Sequence, residues 1–366
     1  MNLGSVDIIS REIIKPSSPT PHTHKTFKLS FLDQLVPPFY VPVIFFYAAA
    51  DVLITAASTT QISQNLSKSL SDALSLFYPF AGKLGPKNLA VDCNDAGAEF
   101  VQAHVRACMD DVIQDPKIDQ LLKYLPMDPN MVINSGDAPP PLLAVQINFF
   151  NCGGMAVGVC SSHQISDADS LVAFIRTWAE LCRRPQGQKG NFTHPQPIFD
   201  LARHFPSREI SGFGFSQSVY VKKEKLVTKR FIFDTDKLLA LRRAATSPSG
   251  SVVKDPTRVE LVSAFIWKNI IGSGKSQLSA AWHVVNLRPR ITSVKMENVF
   301  GNCILKRFVF SDDVGPEFHE LVGKLRNGLS EVNEEYIWKA GKCDDYLNSV
   351  CHSFDLTVNG KMDTCG

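Results

Sequence analysis

Residues Leu142–Asp169 read LLAVQINFFNCGGMAVGVCSSHQISDAD. Two runs rich in Val, Ile and Phe, Leu142–Phe150 and Met155–Cys160, flank Asn151-Cys152-Gly153-Gly154. Branched and aromatic side chains suit pleated backbone, and a short glycine-rich turn joins antiparallel neighbours, so the stretch predicts a hairpin of two buried strands. The period then changes. Leu171, Phe174, Ile175, Trp178 and Leu181 recur at three- and four-residue spacing over Ser170–Leu181, one face of a helix. Ser166, Asp167 and Asp169 stand just before it, where short oxygen-bearing side chains satisfy the unpaired N–H groups of a first turn. Two strands followed directly by a helix put the chain in the α/β class.

Working outward, Lys15-Pro16-Ser17-Ser18-Pro19-Thr20-Pro21 is extended and cannot be helical. Phe27–Leu35 and Val41–Tyr47 read as short strands on either side of Pro37-Pro38. Ile62, Leu66, Leu70, Leu74 and Phe77 predict an amphipathic helix from Thr60 that stops at Pro79. Val91–Cys93 and Glu99–Val105, around Asn94-Asp95-Ala96-Gly97, read as a second hairpin. Beyond Arg183 the prolines and glycines Pro185, Gly187, Gly190, Pro195 and Pro197 break any regular pattern. Strands are then expected at Lys229–Phe233, Ala280–Asn286 and Cys303–Phe310, with helices at Thr235–Ala245 and Arg258–Ile271. A chain of 366 residues is long enough for two domains. The expected division is an N-terminal domain at 1–183, a crossover linker at 184–220 and a C-terminal domain at 221–366.

Composition narrows the function. With 38 basic against 36 acidic residues the net charge is +2, which implies no basic face for nucleic acid. The longest apolar-rich stretch, Val41–Ala50, holds Pro42 and falls well short of the roughly 20 residues that span a bilayer. The N-terminus has acids early and no apolar core before small residues, so no secretion signal is expected. The sequons at Asn65 and Asn191 are then chance matches. Nine cysteines without a C-x-x-C spacing suggest reduced thiols in a cytoplasmic protein.

His163 is the candidate for chemistry. It falls where a buried strand ends and a helix is about to open, a junction rigid on one side and open on the other. Neutral imidazole there can take a proton from an alcohol and return it to a leaving group. Other motifs fail on spacing. Ile271-Gly272-Ser273-Gly274-Lys275-Ser276 has Asn269 where a phosphate-binding loop needs glycine, and it follows a helix. Gly212-Phe213-Gly214 lacks the third glycine of a dinucleotide site. Ser161 and Ser162 lack a nucleophile elbow. No third metal ligand accompanies His163 and Asp167, so no metal is expected. His22, His24, His194, His204, Arg183-Arg184 and Lys222–Lys225 read as solvated surface groups.

Phe149–Gly154, His163-Gln164-Ile165-Ser166-Asp167 and Trp178 resemble the BAHD family of plant acyl-CoA-dependent acyltransferases, whose signature is H-x-x-x-D. Ala168 stands where that family usually has Gly. Lys15–Pro21, Phe77-Tyr78-Pro79-Phe80-Ala81-Gly82, Val91–Asp95, Asn286-Leu287-Arg288 and Gly301-Asn302 follow in the family's order, so the resemblance runs along nearly the whole chain. It implies a two-domain, chloramphenicol-acetyltransferase-like α/β fold with mixed sheets flanked by helices. It also implies a monomer with its site between the halves, acyl-CoA as co-substrate rather than a resident cofactor, and a hydroxyl of an alkaloid, terpenoid or similar plant metabolite as acceptor. His163 would be the general base. Asp167 would pair with Arg288 and support the site structurally. The family's second signature, D-F-G-W-G, is not in the chain, so the C-terminal domain is expected to be incomplete. The alternative expectation is a truncated, non-catalytic relative that binds CoA or a partner, or does not fold stably.

Overall fold

The computed structural model describes residues 5–49, 56–85, 89–129, 131, 139–184, 192–193, 195–208, 210, 227–246, 253–273, 278–312, 315–358 and 363–365. The chain divides into two compact units, residues 1–209 with 298–303, and residues 210–297 with 304–366.

The first unit contains strands β1 (Val6–Ile14), β2 (Thr26–Lys28), β3 (Tyr40–Tyr47), β4 (Lys83–Leu84), β5 (Ala90–Asp92), β6 (Ala98–Val105), β7 (Leu143–Phe150) and β8 (Met155–Ser162). Its helices are α1 (Phe31–Gln34), α2 (Ala56–Leu76), α3 (Met109–Gln114), α4 (Ile118–Leu121), α5 (Ala168–Arg183) and α6 (Leu201–His204). Five strands form one mixed sheet in the order β1-β6-β7-β8-β3, parallel only between β6 and β7. β7 and β8 are buried along their whole length, which is why they read as continuous apolar runs rather than alternating ones.

Helices α2 and α5 pack together, and the Trp178 indole on α5 donates to the Leu66 carbonyl (3.2 Å) and the Ser69 hydroxyl (3.0 Å) of α2. Aromatic rings fill the space beside them. Phe174 lies 5.5 Å from Phe77 and 5.0 Å from Phe80, and Phe300 lies 5.2 Å from Phe80. Phe300 arrives from far along the chain. The segment 298–303 is tied in by Ile198, whose N–H donates to Asn298 (2.8 Å) and whose carbonyl accepts from Phe300 (2.8 Å). A second cluster holds Val105, Met109, Val112, Tyr124, Phe150 and Ala156. The backbone approaches β8 so closely there that a Cβ on Gly158 would run into the Tyr124 carbonyl oxygen.

Three local expectations are corrected, and one strand is added. Val91–Cys93 and Glu99–Val105 are not a hairpin: β5 pairs with β2 and β4 in a small separate sheet, while β6 pairs with β1 and β7. Asp95 at φ 60° and Gly97 at φ 97° send the chain away. The Asp95 carboxylate is held there by Thr20 and by Lys25 at 3.0 Å. Phe27–Leu35 is strand only to Lys28, because Ser30 and Asp33 cap each other reciprocally and start α1. Lys229–Phe233 belongs to no sheet among the described residues. The edge strand β1, which the sequence reading passes over, pairs with β6 on both sides of an irregularity between Ile8 and Ser10.

The second unit contains α7 (Thr235–Ala244), α8 (Arg258–Ser273), β9 (Ser279–Asn286), β10 (Ile304–Ser311), α9 (Phe318–Ser330), α10 (Glu334–Lys342), α11 (Asp344–Val358) and β11 (Asp363–Cys365). Its sheet runs β10-β9-β11. Leu261, Ala264 and Trp267 of α8 pack with Leu321, Val322 and Leu325 of α9 over Ala281 and Val309. The Trp267 indole donates to Ser279 at 3.1 Å. Glu260 forms a capping box with Thr257 and accepts from Arg326 at 2.7 Å, joining α8 to α9. Ile271–Ser273 ends α8; the rest of that glycine-rich stretch, like Gly212–Gly214, lies outside the described residues.

Candidate functional site

β8 delivers His163 to the end of the central sheet, and the turn that follows is pinned at both ends. On the strand side, Ser162 N–H donates to Leu142 and His163 N–H donates to Phe39, each at 2.9 Å. On the helix side, Asp167 is the N-cap of α5, with Oδ1 accepting from Ser170 N–H at 2.9 Å. Between them the buried hydroxyls of Ser161 and Ser166 meet at 2.8 Å. That contact turns Ser161 inward, away from any nucleophile's role.

The imidazole of His163 stands edge-on to Phe39, ring centres 5.1 Å apart. Its Nδ1 lies 3.2 Å from the Ser166 carbonyl oxygen. A carbonyl can only accept, so in the neutral ring Nδ1 carries the proton and Nε2 keeps its lone pair. Burial pushes the imidazole below its ordinary value of about 6.5. The carbonyls of His163 and Ser166, the Asp167 charge and Asn302 push the other way and do not overcome it. The ring is therefore neutral at pH 7.

The turn is fastened to the body of the first unit by residues that sequence reasoning did not single out. Asn302 Nδ2 donates to the His163 carbonyl (2.8 Å) and to Asp33 Oδ1 (2.9 Å), and its own N–H also donates to Asp33 Oδ1 (2.7 Å). Asp33 Oδ2 accepts from the N–H (2.8 Å) and hydroxyl (2.6 Å) of Ser30. Burial pushes the Asp33 carboxyl up, although all four hydrogen bonds favour its charged form. On the other side of Asn302, Cys303 N–H donates to Asp167 Oδ2 at 3.1 Å, and Ser170 Oγ bonds both N–H and C=O of Gly301. Gly301 sits at φ 128°, which side-chain-bearing residues rarely adopt, and a Cβ there would come within 2.7 Å of Leu201 Cδ2. The reciprocal Ser30–Asp33 cap was the one local signal available; Asn302 appeared only within a family resemblance.

His163 and Asp167 thus share one turn, and Asp167 accepts from the backbone N–H groups of Ser170 and Cys303. Arg288 belongs to the second unit, buried in the short turn after β9, with its N–H and guanidinium 3.2 and 3.4 Å from Asn286 Oδ1. Among the surface candidates, Arg184 pairs with Glu180 at 2.6 Å and covers the Phe192 ring, and His204 lies 3.7 Å from Asp200. His24 packs on Tyr78. His194 and Lys222–Lys225 lie outside the described residues.

Known proteins share this arrangement of chain. The model of the Transferase family matches residues 4–344. Stemmadenine O-acetyltransferase of Catharanthus roseus is 38% identical over 351 residues, covering 94% of this chain and 80% of the relative. Vinorine synthase of Rauvolfia serpentina is 38% identical over 338 residues, 90% of this chain and 76% of the relative. The crystal structure of vinorine synthase superposes with a TM-score of 0.76 at 32% identity, covering 98% of this chain and 83% of that one.

Asp33→Ala should strand four donors in a dry interior and cost about 3 kcal/mol or more. A urea melt reads this as a lowered midpoint at unchanged slope. A midpoint within error of the parent would show that the Asp33–Asn302 contact does not hold the turn.

Proposed function

Because the chain belongs to the Transferase family of BAHD acyltransferases, we propose that it moves an acetyl group to a hydroxyl of an alkaloid, terpenoid or similar plant metabolite with His163 as general base. The chain is an acyl-CoA-dependent O-acyltransferase. Relatives named as O-acetyltransferases support acetyl as the group and plant metabolites of these classes as acceptors.

The observation that carries the reading is the protonation pattern of His163. With Nδ1–H turned to the Ser166 carbonyl, Nε2 is left to accept the proton of an acceptor hydroxyl. The hydroxyl oxygen then attacks the thioester carbonyl. A C–O bond forms, the tetrahedral oxyanion collapses, the C–S bond breaks, and CoA leaves as thiolate. The proton held on Nε2 returns to that sulfur, so no acyl-enzyme is required. The oxyanion needs a hydrogen-bond donor beside it.

In this reading Asp167 and Arg288 are positioning residues that pair, a role that rests on the family resemblance. The enzyme is further read as cytoplasmic and monomeric. Nine cysteines in no paired spacing support that compartment.

The deciding experiment follows thiol release from acetyl-CoA with and without a panel of alkaloid and terpenoid alcohols. Release that needs an alcohol, with an acetylated product, supports the transferase. Equal release without one would make it a hydrolase and overturn the reading.

His163→Ala should lower kcat by about 100-fold or more. Its melting temperature should stay near the parent's, since Asn302 grips the backbone carbonyl and not the ring. The pH profile has a fixed sign. Burial keeps the imidazole neutral, so activity is retained as pH falls and is lost only when the ring protonates. The acid limb of kcat/KM should therefore lie below about 6.5. A limb centred above that value would contradict the assignment.

Asp167→Ala and Arg288→Ala, alone and combined, form a double-mutant cycle in urea. A coupling above about 1 kcal/mol supports the pair, and additivity within about 0.5 kcal/mol removes it.

A further inference from the structure

Eight residues of β8 separate His163 from the turn that joins β7 to β8, and that turn carries Cys152. The turn is ordered. Gly153 N–H donates to Phe150 (3.0 Å), Phe150 N–H to Gly154 (2.9 Å), and Asn151 N–H to Val105 at the end of β6 (3.1 Å). Gly153 takes φ 83°, which closes the turn. Cys152 is exposed at its tip, and its sulfur accepts the Met109 N–H at 3.3 Å.

Cys108 is the residue before Met109, whose N–H reaches that sulfur, and is itself part-exposed. Burial pushes the Cys152 thiol up, but the N–H of Met109, the N–H of Gly154 and the Cys108 thiol together outweigh it and hold it below its ordinary value. The buried thiols of the same unit behave oppositely. Cys93 and Cys160 are pushed up to about 12 by burial. At Cys152, exposure, a backbone donor on sulfur and a second cysteine directly beside that donor coincide. The acyl-transfer chemistry uses neither group.

We propose that Cys152 and Cys108 form a redox modification site, a nucleophilic and a resolving thiol that react with a disulfide oxidant such as glutathione disulfide and close to an intramolecular disulfide. The Cys152 thiolate attacks one sulfur of the oxidant; a protein–glutathione S–S bond forms, the oxidant's S–S bond breaks, and one glutathione thiolate leaves. Cys108 gives its proton to solvent and attacks Cys152 sulfur, expelling the second glutathione thiolate. Two protein thiols are oxidised, one glutathione disulfide is reduced to two glutathione molecules, and the two protons end on those products. The bond ties the β7–β8 turn to the chain between β6 and α3, and glutathione in excess reverses it.

The test incubates the full chain with glutathione disulfide, quenches with an alkylating reagent and maps peptides by mass spectrometry. The parent chain should show Cys108 joined to Cys152, with two hydrogens lost and no glutathione retained. Cys108→Ser should trap glutathione on Cys152, and Cys152→Ser should show neither product. Circular dichroism confirms that both variants are folded, and the parent chain alone already decides the main point. Glutathione retained on Cys152 of the parent, a first adduct on another cysteine, or no reaction at this pair would each overturn the proposal.

Discussion

A buried carboxylate with every lone pair spoken for is the constraint on which the His163 turn depends. A charge in a dry interior is tolerated only when donors surround it, and a network of this kind is costly if any member is missing. Asp33 meets that condition with two donors from Ser30 and two from Asn302. The Asn302 amide, so fixed, has its second hydrogen aimed at the His163 carbonyl. Three segments distant in sequence are tied together because the Asp33 carboxylate takes its donors from two of them and the Asn302 amide reaches the third.

The arrangement around the imidazole differs from that of a serine protease triad. In a triad a carboxylate touches the ring Nδ1 and stabilises the imidazolium. Here the Ser166 carbonyl occupies that place, while the Asp167 oxygens go to Ser170 N–H and Cys303 N–H. A neutral acceptor sets the tautomer without adding charge, so burial prevails and the ring stays deprotonated. Orientation and basicity are thus controlled by different groups. Asp167 governs where the turn goes, and Ser166 governs which nitrogen keeps its lone pair.

The two proposed sites lie at opposite ends of β8. At about 3.3 Å per residue, the eight residues of β8 put some 26 Å between the thiol pair and the histidine. Oxidation of the cysteines would act on the imidazole only through the stiffness of the sheet. Gly158, set midway where the Tyr124 carbonyl lies against the strand, shows how little slack that sheet has.

What the sequence determined by itself was local in origin. Branched runs around Cys152-Gly153-Gly154, the spacing from Leu171 to Leu181 and the acids before it predict β7, β8 and α5, and they place His163 at their junction. Periodicity registers which side of an element is dry, and that is decided within a few residues. The second hairpin failed because pairing partners are not a local property: Asp95 and Gly97 let the chain turn, and only tertiary contacts with Thr20 and Lys25 decide where it goes. Asn302 was legible only through resemblance, since it sits 269 positions from Asp33 and 139 from His163, in a stretch with no regular spacing. Tertiary structure alone decided that these residues meet, because hydrogen bonds across such distances satisfy buried groups without leaving any period in the chain.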